Sequence, residues 1–366
     1  MKKVIRTIIA MALVIVSAFA LVACGSSDNQ DGEKGLILKK YRGEDFYTVY
    51  DYVDDGATKL DLTDAEVTGG VTIGRIASGA FDGNTSLVEI IVPTTVTEIC
   101  EGAFKNMTKL NSLTLPFIGR YVKADAYMNQ TGTNDDDVKA IDNARTISYI
   151  FGTEEYDGGI NTTVSYNDGS SEVCFLPATL NSIKIYPAND YEIPMYAFSG
   201  VKVLRHVELS SKVVGIGSNA FANCTNLDNL SIPASVKNIY SGAFKGCKKL
   251  NNIVFEANST LTKIEDNVFS NTAFDKVNFL PSSIEEIGEN AFANSTLKEI
   301  LLPTSLKKIG YGAFQNCVEL VKVTASSTNI QLGDYAFYNC EKLSTSSLDM
   351  SAFMANGNAF IGTKVI

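Results

Sequence analysis

Residues 227–247 read LDNLSIPASVKNIYSGAFKGC, and this stretch decides the fold. Leu227, Leu230 and Ile232 make an L-x-x-L-x-I pattern whose last two members alternate across one residue, as a strand with one buried face requires. Pro233 ends that strand because it brings no ladder donor, and Pro93, Pro116, Pro281 and Pro303 stand at equivalent points. Val236 and Ile239 bury a second segment. Ala243 and Phe244 follow on a short turn, where Ala admits close backbone approach and Phe fills the middle of the coil.

The Ala-Phe pair recurs in register at Phe81, Phe104, Phe198, Phe221, Phe244, Phe269, Phe292, Phe314, Phe337 and Phe360, with Val268 once in place of Ala. Successive members lie 22–25 residues apart, except for one step of 94 between Phe104 and Phe198. Such a period means one small supersecondary unit stacked many times. Two residues after each Phe stand Gly83, Asn106, Gly200, Asn223, Gly246, Asn271, Asn294, Asn316, Asn339 and Gly362. Gly and Asn are the residues that best tolerate a left-handed backbone, so a single helical turn ending in a left-handed cap is predicted at each. The next position holds Asn84, Met107, Val201, Cys224, Cys247, Thr272, Ser295, Cys317, Cys340 or Thr363, which describes a small buried slot. Its cysteines are expected to be free thiols. The alternative is a disulfide between neighbouring coils, Cys224–Cys247 or Cys317–Cys340, although stacked strands sit about 4.8 Å apart and disulfides want Cβ atoms nearer ~3.8 Å.

The run L-x-x-I-x-L-P followed by V-x-x-I-G-x-x-A-F-x-x-C resembles the BspA-type (Treponema pallidum-type) leucine-rich repeat. Ile287-Gly288, Ile309-Gly310 and Ala-Phe-x-Asn-Cys at 313–317 and 336–340 carry the match, which covers about 71–116 and 177–366. The resemblance implies a right-handed solenoid found in bacterial surface proteins, some of them adhesins that bind host proteins. The expected fold is therefore a β-rich leucine-rich repeat superhelix of short parallel strands and single helical turns, with one inserted α/β segment.

The insert is placed at 117–176, where the count fails. Asp135 to Phe151 reads as a helix stopped by Gly152, and Thr162 to Phe175 as a hairpin around Asn167-Asp168-Gly169. LPFIG at 115–119 and YIFG at 149–152 resemble a recurring insert of the same family. Asp135-Asp136-Asp137 suits a helix N-terminus better than a calcium loop, whose ligands alternate. Residues 36–70, with a turn at Asp54-Asp55-Gly56, are expected to form a β-hairpin closing the N-terminal end, since solenoid ends need caps. At the other end Thr363-Lys364-Val365-Ile366 matches Val201-Lys202-Val203-Leu204, the start of a strand. An open edge there invites weak self-association.

Lys2, Lys3 and Arg6 precede an uncharged run, Thr7 to Ala23, that is short for a spanning helix. It ends in Leu21-Val22-Ala23-Cys24-Gly25, which resembles the bacterial lipobox. Residues 1–23 are thus expected to be a lipoprotein signal peptide, Cys24 the lipid attachment site, and 24–35 a flexible tether. The formal charge of −10 becomes −13 once residues 1–23, with three bases and no acid, are removed. So acidic a chain repels nucleic acid and anionic lipid.

Catalytic chemistry has few places to reside. His206 is the one histidine and falls at an outward strand position. Gly215-Ile216-Gly217-Ser218-Asn219-Ala220 matches a dinucleotide fingerprint, but Ala220 is the repeat Ala and no long helix is due after it. Glu285 and Glu286 align with Lys307-Lys308 as solvent-facing positions. No enzyme, metal or cofactor is expected. What remains is surface: one outward residue between the buried pair of each first strand, namely Ile91, Thr114, Lys184, Glu208, Ser231, Val254, Asn278, Leu301 and Thr324. Stacking aligns this strip over about 40 Å, the kind of surface solenoids use to hold extended partners. The expected role is membrane-anchored, extracytoplasmic binding of a protein or glycan, in adhesion to a host or neighbouring cell. The alternative is a self-assembling envelope protein.

Overall fold

The computed structural model describes residues 35–120, 145–165, 170–348, 350–354 and 356–365. Cys24, the signal segment, the tether, Asp135-Asp136-Asp137 and the turn at Asn167-Asp168-Gly169 lie outside them. Each coil of the chain has three sides. The L-x-x-I-x-L segments build a first sheet in which Lys59–Asp61, Glu89–Ile91, Ser112–Leu115, Ser182–Ile185, His206–Leu209, Asn229–Ile232 and Asn252–Phe255 pair in that order. Every pairing is parallel. Lys276–Val277, Glu299–Leu302 and Lys322–Ala325 form a second parallel set beyond it. The V-x-x-I segments build a second sheet of shorter strands, such as Lys263–Ile264, Glu286–Ile287, Lys308–Ile309 and Gln331–Leu332.

The Ala-Phe turns form the third side. Here a backbone ladder joins coils directly: Phe221 N–H donates to Ala243 O (2.8 Å), and Asn223 N–H to Lys245 O (2.7 Å). The same two bonds recur from Phe292 to Ala313 and from Asn294 to Gln315. All ten cap residues have φ between 57° and 79°. Asn316 Nδ2 also donates to Asn294 Oδ1 (3.0 Å) and Asn339 Nδ2 to Asn316 Oδ1 (3.1 Å), so the caps carry an amide ladder of their own. A second left-handed column precedes Phe by two residues, at Gly79, Gly102, Tyr196, Asn219, Gly242, Asn267, Asn290, Gly312 and Tyr335. The Gly/Asn pattern there is legible in the sequence except at its two tyrosines.

The phenylalanines fill the middle. Phe81 and Phe104 stack at 5.2 Å, Phe198 and Phe221 at 4.9 Å, and Phe314 and Phe337 at 5.1 Å, with rings within 11° of parallel. Phe274, off register, meets Phe269 edge-on at 5.5 Å, and beside it the Phe269–Phe292 pair tilts to 31°.

The 117–176 segment proves to be less separate from the repeats than its sequence suggests. On the first sheet, Ser112–Leu115 pairs directly with Ser182–Ile185, so no strand is inserted. On the third side, a helix at Ile147–Phe151 takes the place of a turn: Phe104 N–H donates to Ile150 O and Gly102 N–H to Tyr149 O, both at 2.9 Å. Phe151 is buried 6.0 Å from Phe104, as a further member of the aromatic column with Ile150 standing where Ala would. The helix expected from Asp135 to Phe151 starts only at Ile147, because Thr146 before it is an extended N-cap (φ −93°, ψ 159°); residues 121–144 lie outside the described residues. Gly159–Ser165 and Ser171–Pro177 form an antiparallel hairpin that lies over the solenoid at Gly200, where an added Cβ would fall 2.2 Å from Thr163 O.

A β-hairpin does close the N-terminal end: its strands Gly35–Lys39 and Tyr47–Val53 are joined through residues 40–46. The expected turn at Asp54-Asp55-Gly56 follows the second strand, Asp54 and Asp55 accepting from Gly56 N–H and Ala57 N–H at 2.9 Å. The boundary at residue 70 needs correction. Lys59–Asp61 then joins the first sheet beside Glu89–Ile91, so coiling starts ahead of residue 71. Lys59-Leu60-Asp61-Leu62 has the strand alternation but no Ala-Phe turn before it, which hid it from a count of Phe. Gly35–Lys39 runs antiparallel and covers the outer edge of the second sheet. Arg75 pins the connection, with its guanidinium 2.8 Å from Glu44 and 2.7 Å from Glu98.

Cys174, Cys224, Cys247, Cys317 and Cys340 are buried and free, and Cys100 is partly buried. Slot thiols donate to the Phe carbonyl one coil back: Cys224 Sγ to Phe198 O (3.0 Å), Cys247 Sγ to Phe221 O (3.1 Å) and Cys340 Sγ to Phe314 O (3.2 Å). Burial pushes the Cys247 thiol up to about 12 and holds Cys224 well above its ordinary value. Thiolate is the reactive form. Because burial keeps reagent from the other five, a colorimetric thiol titration of folded 25–366 is expected to modify Cys100 first and the five buried thiols roughly tenfold or more slowly, with all six reacting in guanidinium. Prompt reaction of the buried set in folded protein would contradict this placement.

Candidate binding surface

The outward row of the first sheet lies on the strand register. Asp61, Ile91 and Thr114 are successive partners, followed by Lys184 and Glu208. Ser231 pairs with Val254, and Leu301 with Thr324. Asn278 is exposed but stands just past its short strand. Asp61 is a member that the sequence reading omitted, for the reason that hid its coil.

Charge along this face is largely self-neutralising. Lys184 Nζ lies 3.5 Å from Glu208, Lys276 Nζ 3.2 Å from Glu299 and Lys59 Nζ 3.7 Å from Glu89. Tyr186 donates its hydroxyl to Glu208, and that bond raises the Tyr186 phenol to about 12. Exposed pairs of this kind contribute about 0–1 kcal/mol each. They set the polarity of the strip more than its stability.

The apolar part of the row sits where the sheet divides. The step from Phe244 to Phe269 is 25 residues, and strands Asn252–Phe255 and Lys276–Val277 fall in different sheets. Half-buried Phe255 and Phe279 face each other at 6.3 Å beneath the gap, and buried Phe274 lies 5.1 Å from Phe279. Above them Val254 is 51% exposed and Leu301 45% exposed, while Asn278 lies between. Two bare aliphatic side chains on a pleated face, flanked by paired charges, offer contact area with a polar rim.

The other sequence candidates are repeat furniture. His206 is exposed on the strip, with Nδ1 3.8 Å from Asp228 Oδ1. Glu285 is engaged by Lys307 Nζ (2.7 Å) and Glu286 by Lys308 Nζ (3.1 Å), all on the open face of the second sheet. Gly215 and Ile216 end a strand, and the backbone enters the Phe221 turn instead of a long helix. Gly217 is glycine because a Cβ would fall 2.6 Å from Ile193 O of the preceding coil. Among the described residues no group of three or more His, Cys, Asp or Glu is placed to hold a metal ion, and no helix is long and apolar enough to cross a membrane.

No curated protein matches the chain. Among solved structures it is similar to a leucine-rich repeat protein of Bacteroides ovatus, at 20% identity and TM-score 0.44, covering 86% of this chain and 82% of that one. It is also similar to the pneumococcal vaccine antigen PcpA (18% identity, TM-score 0.40, 84% and 72% covered). A leucine rich cell surface protein of Faecalibacterium prausnitzii matches at 20% identity and TM-score 0.37, with 94% of both chains covered. The family model described as the BspA type leucine rich repeat region matches in six copies, over residues 60–148, 171–296 and 262–366. With strands, aromatic column and caps repeating through those same residues, the chain belongs to the BspA-type leucine-rich repeat family.

Proposed function

We propose that this protein is a bacterial surface scaffold, tethered by lipid at Cys24, that binds an extracellular protein or glycan along its first sheet and serves adhesion to a host or neighbouring cell. The observation that carries the reading is the outward row of the first sheet, exposed from Glu208 onward, with Val254 and Leu301 bare in its C-terminal half. A regular row of this length is a surface a solenoid can present to an extended partner at little conformational cost, because its backbone is already fixed. Probing a glycan and extracellular-matrix protein array with soluble 25–366 is the test. Saturable binding to a defined protein or glycan is expected, and silence across the array would count against the reading. For the anchor, radiolabelled palmitate should enter the wild-type chain in a bacterial host and be lost in Cys24→Ala; equal labelling of both would remove the tether.

A self-assembling envelope role is the second reading. The last coils expose Met350, Met354 and Ile361, each 40–45% accessible. Size exclusion decides between the two: a concentration-dependent dimer supports assembly, and a strict monomer counts against it.

A further inference from the structure

On the turn edge, away from the first sheet, three tyrosines cluster. Tyr311 and Tyr335 meet edge to face at 5.5 Å and 69°, and Tyr335 and Tyr338 at 5.6 Å and 86°. Tyr311 is 45% exposed and Tyr338 38%. Tyr335 has φ 59°, in the column where most coils carry Gly or Asn, and a bulky residue there is an outlier. The other such tyrosine, Tyr196, is buried, whereas the ring of Tyr335 is only partly covered. No hydrogen bond engages the three hydroxyls among the described residues.

The surrounding charge has one sign. The turn segments 265–272, 288–295, 310–317, 333–340 and 356–363 contain Glu265, Asp266, Glu289 and Asp334 and no Lys or Arg. Glu289 and Asp334 occupy the Tyr311 position in the coils before and after it, as the backbone bonds Asn267 N–H to Glu289 O, Asn290 N–H to Tyr311 O and Gly312 N–H to Asp334 O show. Both are exposed and neither is ion-paired among the described residues; Asp334 Oδ1 accepts from Asn356 Nδ2 at 3.2 Å. Of the other turn acids, Glu265 is paired with Lys263 at 2.8 Å, and on the sheets Lys276, Lys307 and Lys308 answer Glu299, Glu285 and Glu286, so Glu289 and Asp334 stand out as uncompensated. Aromatic faces in an uncompensated negative field attract cations, by ring quadrupole and by charge together.

We propose that Tyr311, Tyr335 and Tyr338, with Glu289 and Asp334, form a docking surface for a Lys- or Arg-bearing segment of a protein partner. The two carboxylates stand two coil steps apart, about 10 Å, with the rings among them, which suits successive cationic side chains better than one small ion. This surface is separate from the first-sheet row and stands or falls independently of it.

The test titrates the purified full-length protein with a Lys-Ser repeat decapeptide and its Gln-Ser counterpart, at low and physiological salt. The Lys-Ser peptide is expected to bind and the Gln-Ser peptide not to. Tyr311→Ala and Tyr338→Ala should each weaken binding about two- to fivefold, and Tyr311→Phe should retain it because the ring face remains. Asp334→Asn should weaken it as well, while Val173→Ser, at an exposed site on the hairpin, leaves it unchanged. Circular dichroism identical to wild type keeps each comparison interpretable, the replaced rings being surface groups. Equal binding by the Tyr→Ala variants would overturn the proposal, leaving net charge alone as the attraction. Equal binding of the Gln-Ser peptide would overturn its cationic character, and binding of tetramethylammonium without the peptide would overturn the partner class.

Discussion

Phe314→Ala is expected to lower the free energy of unfolding by about 3–5 kcal/mol, the range for removing a large ring from a core that cannot collapse. Phe314 is fully buried and stacked on both sides, 5.3 Å from Phe292 and 5.1 Å from Phe337. Its neighbours are held by the backbone ladder, with Phe292 N–H bonded to Ala313 O and Phe314 N–H to Ala336 O, each at 2.8 Å. The coils therefore cannot close over the void. Because each coil touches only its neighbours, the loss should also weaken coupling between the two parts of the solenoid. Urea denaturation followed by circular dichroism reads both effects, as a lower midpoint and a broadened transition. Val254→Ala, at an exposed site, should stay within about 0.5 kcal/mol of wild type. A Phe314→Ala cost below about 1 kcal/mol would mean that the aromatic column is not the core.

Gly200→Ala is expected to cost about 2–4 kcal/mol, from left-handed strain plus overpacking. Gly200 has φ 76°, and its added Cβ would fall 2.2 Å from the Thr163 carbonyl oxygen, a backbone atom that cannot rotate away. Gly83→Ala provides the comparison: φ is 70° but nothing lies within 4 Å, so only the backbone term remains, about 1–2 kcal/mol. The difference between the two isolates the hairpin over Gly200. Hydrogen exchange should accelerate in Gly159–Ser165 and Ser171–Pro177 for Gly200→Ala and stay unchanged for Gly83→Ala. Equal costs and unchanged exchange would show that the hairpin does not rest on that coil.

What the chain disclosed in advance follows from how strictly each residue is constrained. Phe244 and its equivalents had to be legible, because one ring per coil fills a fixed volume and nothing smaller replaces it. The caps were legible because positive φ selects Gly and Asn. Phe151 was not, since Ile150 stands where Ala marks the turn elsewhere, and the flanking connections break the count. The N-terminal coil was missed for the same reason, since it reaches Lys59–Asp61 without an Ala-Phe turn. Of the surface strip, alternation gave the positions, but not the division of the sheet between Asn252–Phe255 and Lys276–Val277, where Phe255, Phe274 and Phe279 pack together. The tyrosine cluster escaped because its members occupy three different columns of the repeat and converge only when the coils stack.

The central claim is that the first-sheet row is the binding surface. It is tested most directly by measuring the affinity of an array-identified ligand for wild-type 25–366 and for Val254→Lys/Leu301→Lys, two exposed sites where added charge leaves the core intact. A loss of about tenfold or more with an unchanged circular dichroism spectrum is the predicted result. Equal affinity for both proteins would contradict it and move the binding surface off the first sheet.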